Sequence, residues 1–62
     1  MNTIAIHFEM TDSQAWALAQ LLKRLGFDDC RKLAESNEEA YAMLYASDVV
    51  RMALAKEGIA PR

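Results

Sequence analysis

Apolar side chains recur along this chain with more than one rhythm, and each rhythm predicts an element. Over residues 3 to 10 they alternate. Ile4, Ile6, Phe8 and Met10 take one side; Thr3, Ala5, His7 and Glu9 take the other. A period of two built from β-branched and aromatic residues predicts a half-buried strand whose apolar face lies on the helices that follow. From residue 12 the rhythm becomes helical. Ala15, Leu18, Leu21, Leu22 and Leu25 fall on one arc when each residue turns by about 100°. Thr11 with Gln14 three positions on fits a capping box. Lys23 and Arg24 stand in the last turn, where cations complement the helix dipole. Gly26 reads as the residue just past the C-terminus, with Phe27 as its hydrophobic contact.

Two more helices follow. Asp28 caps a short one over about residues 29 to 35, with Cys30, Leu33 and Ala34 turned inward. Ser36 and Glu39 form a second capping box that opens a third helix, from about 37 to 57, which Gly58 ends and Pro61 follows in a short tail. Between Ala40 and Leu54 only Ser47, Asp48 and Arg51 are polar. Met43, Val50 and Leu54 make one ridge; Tyr41, Tyr45, Val49 and Met52 make another; Ala42, Ala46 and Ala53 lie between them and admit a close backbone. A helix this apolar has to be covered on most sides. Two short partner helices do that poorly, and a dimer core does it well.

The predicted architecture is mainly α, in one domain over residues 1–62: an N-terminal β-strand, then three helices of which the middle one is short. The strand meets no second strand-like segment. Its N–H and C=O groups need partners, so the expected assembly is a dimeric helical bundle with strand pairing between subunits. Size argues the same way. A chain of 62 residues buries only about 60% of its unfolded surface, and a single cysteine, Cys30, rules out an intrachain disulfide.

Trp16 bears on partners. It sits nearly opposite the centre of the predicted leucine arc, among Asp12, Ser13, Gln20 and Lys23. Either another part of the chain folds over it or it anchors an interface, a common use of tryptophan. The residues predicted to bind a partner are Trp16, Gln20, Tyr41, Tyr45 and Met52, the partner being a second copy or a different protein.

Charge and chemistry narrow the function. Net charge is −2 with the signs interspersed, so no basic patch invites nucleic acid. No run of about 18 apolar residues predicts a membrane span, and the first ten residues lack the pattern of a signal peptide; a cytoplasmic location is expected. Cys30 and His7 are the only soft metal ligands, too few for a tetrahedral site. With two glycines there is no glycine-rich phosphate loop. No serine, histidine and acid are grouped as a catalytic set, and Glu38 and Glu39 belong to a helix's first turn. The expectation is a non-enzymatic protein with neither cofactor nor metal.

Two resemblances add to this. Strand, helix, helix in a short chain resembles the ribbon-helix-helix DNA-binding dimers, whose paired strands enter the major groove. That would imply a dimeric transcription regulator, although Thr3, Ala5, His7 and Glu9 offer no Arg or Lys to read bases. The segments AWALAQLLKRLGF (15–27), EEAYAML (38–44) and ALAKEGIAPR (53–62) resemble a family of small uncharacterised proteins, a domain of unknown function from proteobacteria, their phages and mobile elements. That resemblance implies a mobile-element setting. By analogy of size and setting it implies steric binding to a host protein complex, as inhibitors of CRISPR–Cas complexes do.

Overall fold

The computed structural model describes residues 2–62. It contains three helices: α1 (Asp12–Arg24), α2 (Phe27–Leu33) and α3 (Asn37–Lys56). Both α1 and α2 pack on α3, which is the spine of the molecule. No helix is long and apolar enough to cross a membrane among the described residues.

The capping chemistry at the start of α1 is as the sequence predicts. The Thr11 hydroxyl accepts from the Gln14 N–H at 3.1 Å, and the Gln14 side chain accepts from the Thr11 N–H at 3.0 Å. At α3 the Ser36 hydroxyl accepts from the Glu39 N–H at 3.1 Å. Glu39 reaches one residue further back than a capping box requires, to the Glu35 N–H at 2.8 Å.

The far end of α3 closes in a Schellman motif. Gly58 takes a φ of +85°. The Ile59 N–H donates to the Leu54 carbonyl and the Gly58 N–H to the Ala55 carbonyl, both at 3.0 Å. The two bonds satisfy carbonyls that a helix end otherwise leaves free. Ile59 also packs on the core around Leu54.

Gly26 differs from its prediction. Its φ is −115°, and it is the N-cap of α2, not a left-handed residue closing α1. The Asp29 carboxylate accepts from the Gly26 N–H at 2.9 Å. That acid, three residues on, makes Gly26 a helix start and draws Phe27 into the first turn. Asp28 is therefore inside α2 and not its cap, and α2 ends at Leu33, two residues short of the predicted 35. The turn into α3 is held by Arg31, whose guanidinium donates to the Ala34 carbonyl at 3.0 Å and the Asn37 side chain at 2.7 Å.

The predicted strand does not form. Residues 2–10 run without regular structure, and no strand is present among the described residues. Alternation makes a strand only where a neighbouring ladder takes up its backbone groups, and no other segment among the described residues supplies one. Met10 alone of the predicted face packs on the core; Ile4, Ile6 and Phe8 stay exposed. The strand, and the interchain pairing drawn from it, find no support in this structure.

The core is built of small residues. Ala15, Ala19, Cys30, Ala40 and Leu54 are its buried apolar members, and among the described residues no large side chain is fully enclosed. On α1 the buried arc runs through Ala15 and Ala19, with Leu18 and Leu22 at its edge. It is rotated away from the predicted centre, so Leu21 is exposed. Alanines at the crossing let α1 approach α3, and the leucines pack beside them instead of between. On α2, Cys30 is buried as predicted and Leu33 is exposed. On α3, Ala40, Ser47 and Leu54 face inward at seven-residue intervals. Ser47 tolerates this because its hydroxyl donates to the Leu44 carbonyl at 2.7 Å.

Candidate protein-interaction surface

With the small residues inside, the large apolar ones lie outside. On α3 the side opposite Ala40, Ser47 and Leu54 carries Ala42, Tyr45, Ala46, Val49, Met52 and Ala53, with Tyr41 at its edge against Phe27 of α2, all seven exposed. At about 100° per residue these seven span one continuous face with no charge among them. Tyr45, Val49 and Met52 are 62%, 68% and 64% exposed. Fully burying one such side chain is worth about 1.5–3 kcal/mol, so this face forgoes several kcal/mol while it stays in water.

One end of the face is held in place. Phe27, Tyr41 and Tyr45 form an aromatic row, with ring centroids 4.6 Å apart for the first pair and 6.1 Å for the second. The row depends on Gly26, since the N-cap there starts α2 at Phe27 and sets that ring against Tyr41. Ordered aromatics lose less rotamer freedom on binding than free ones.

Trp16 lies on the flank of α1's buried arc, beside the alanines, and not opposite them. It remains 41% exposed. Gln20, one turn on, is half-buried. The five predicted partner-binding residues thus fall into two groups. Tyr41, Tyr45 and Met52 share the outer face of α3; Trp16 and Gln20 share a flank of α1. Val49 and Ala42 belong with the first group. Their signal was available in the sequence, as the apolar positions repeating every three and four residues between the tyrosines and Met52.

A second apolar surface is the arm formed by residues 2–10. Between it and the helices runs an open groove of about 640 Å³, lined by Ile6, Phe8, Met10, Ala15, Val50 and Leu54 among others. Among the described residues no backbone hydrogen bond ties residues 2–10 to the helices. The arm's alternating apolar side chains and free backbone groups are therefore both open to another chain.

No cluster of three or more His, Cys, Asp or Glu side chains could hold a metal ion among the described residues. Cys30 is buried and unpaired. His7 lies on the exposed arm, while Ser13, Ser36 and Ser47 each have a place at a helix start or within a helix.

A family of unknown function, DUF7706, matches residues 1–62. The chain belongs to this family. Nothing among curated proteins or solved structures matches it. Membership therefore brings no activity with it, and the functional argument rests on the surfaces described above.

Proposed function

We propose that this chain is a non-enzymatic association module that works by docking exposed apolar surfaces onto other protein chains. One observation carries the reading: the large apolar side chains are outside and the small ones inside. Tyr45, Val49, Met52, Leu21, Leu33, Ile4 and Ile6 are all more than half exposed, while the buried set is three alanines, a cysteine and one leucine. Exposed apolar area on this scale marks interaction surfaces in soluble proteins.

The outer face of α3 serves a helix, and the arm serves strand addition, in which an extended segment completes a sheet edge on another chain. A second copy with its own arm would supply such an edge, which is how the interchain pairing predicted from the sequence would arise. Steric masking of a host complex is the specific form of this function that analogy of size and setting suggests. A DNA-binding role draws no comparable support, because residues 2–10 hold no Arg or Lys and the net charge is −2.

Two measurements test the reading together: solution mass by light scattering over a wide range of protein concentration, and binding of a dye that fluoresces on apolar patches. Association of native chains raises the mass, and also makes the unfolding midpoint depend on concentration. A monomer that binds dye in the native state keeps its surfaces for a different protein. A monomer that unfolds cooperatively and binds no dye overturns the reading.

A further inference from the structure

We propose that α3 pairs with α3 of a second copy in antiparallel orientation, about a two-fold axis level with Ser47. The proposal rests on the reading above and names the partner of one of its surfaces.

The line through the middle of α3's outer face is Glu38, Ala42, Tyr45, Val49, Met52 and Lys56. The steps are four, three, four, three, four. That alternation is the seam of a two-helix coiled coil, whose apolar positions recur every 3.5 residues on average. All six residues are exposed. The seam runs about 27 Å at about 1.5 Å per residue.

The seam is symmetric about position 47, and that symmetry decides the partner. Glu38 and Lys56 are equally far from it, as are Ala42 and Met52, and Tyr45 and Val49. An isologous interface pairs residue i with j and j with i. Laid antiparallel on itself, the seam sets Ala42 against Met52, Tyr45 against Val49, and Glu38 against Lys56. A small residue meets a large one in each outer layer, and opposite charges meet at both ends. Antiparallel helices also align their dipoles favourably. The parallel alternative sets Glu38 on Glu38, Lys56 on Lys56 and Tyr45 on Tyr45. A second copy of this chain is thus the occupant whose charge and size pattern the face already matches.

The surroundings leave room for it. At the Met52 end the arm's groove borders one side, at Ala53 and Glu57. The tail borders the other, with Ile59, Ala60 and Pro61 near Met52 and Ala55. Met52 stands open between them, and the residue arriving there from the partner is Ala42. Asp48 flanks the seam beside the axis and would meet its own copy across it, so Asp48→Asn should tighten the pair.

The test combines association with orientation. Val49→Arg places a charge in the middle of the seam at a position too exposed to disturb the fold. Dimerisation should weaken by about 100-fold or more, as for loss of a central hot spot, with helicity by circular dichroism unchanged. In a Cys30→Ala background, Ala42→Cys chains mixed with Met52→Cys chains should cross-link by disulfide, while neither chain alone should. Cross-linking of each alone would mean a parallel pair and overturn the proposal. A wild-type dimer that is unaffected by Val49→Arg and fails to cross-link overturns it too, while leaving association through the arm. A dye-binding wild-type monomer overturns the proposal but not the wider reading; a monomer without dye binding removes both.

Discussion

The two glycines make opposite predictions although the sequence gives them the same role. Gly58 has a φ of +85°, and a Cβ placed there would meet nothing within 4 Å. The cost of Gly58→Ala is therefore conformational alone, with no clash added to it. An L-residue held in the left-handed region costs about 1–2 kcal/mol. In a domain of this size one kcal/mol corresponds to about 4–8 °C in Tm, so Gly58→Ala should lower Tm by about 10 °C. The mirror-image residue reverses the sign. D-alanine at 58, introduced by chemical synthesis, suits the left-handed backbone and removes glycine's freedom from the unfolded chain, a gain of about 0.4–1 kcal/mol. Gly26→Ala is the control. Its φ is −115° and the added Cβ would lie 3.8 Å from the Asp29 carboxylate, an ordinary contact. The entropy gained offsets alanine's poorer N-cap preference, leaving a change within about 0.5 kcal/mol. The assay is thermal unfolding by circular dichroism at one fixed protein concentration, since association would otherwise shift the midpoint. A neutral Gly58→Ala, or a Gly26→Ala as costly as it, would refute the assignment of these helix ends.

Other substitutions isolate single contacts. Thr11→Ala removes the hydroxyl that accepts from Gln14 and should cost about 1 kcal/mol in urea unfolding, whereas Thr11→Ser should recover most of it. Arg31→Lys keeps the charge but loses the fork that spans the Ala34 carbonyl and Asn37; a loss of about 0.5–1.5 kcal/mol, with faster amide exchange at Asn37 and Glu38, is expected. Trp16→Ala should leave helicity intact and weaken any association that uses the α1 flank, and a collapse of helicity would place Trp16 in the core instead.

The starts of α1 and α3 are legible because capping depends on local chemistry. Thr11 with Gln14, and Ser36 with the Glu39 N–H, act through side chains three residues apart, which the sequence states directly. Gly26 is ambiguous in the sequence because glycine serves both helix ends. The deciding partner, Asp29, was visible as an acid three residues on, but Lys23, Arg24 and Phe27 around Gly26 form an equally good C-terminal pattern. Apolar patterning sets the buried arc of α1 too far toward Leu21 because it weights large side chains, whereas the crossing with α3 is made by Ala15 and Ala19. The arm shows a different limit. Alternation at Ile4, Ile6, Phe8 and Met10 states which side chains share a side, but not whether a ladder exists to receive them. The outer face of α3 was legible as a surplus of apolar residues. Its self-complementary order emerged once the structure fixed Ala40, Ser47 and Leu54 as the inner side.

The alanine core has a consequence for how the sequence can drift. In most domains the intolerant positions are bulky ones, where trimming a side chain opens a cavity. Here Ala19 and Ala40 are the most deeply buried apolar residues, at 1% and 0% exposure, and neither has much to trim. The intolerance runs the other way: added methylenes force the helices apart. A library of all single substitutions, sorted for folded chains, should show its sharpest depletion at two alanines, while positions such as Leu21 and Leu33 accept nearly any residue. Among relatives in the same family, the folding requirement would then appear as columns of small residues, and variation at the bulky columns would report on what each relative binds.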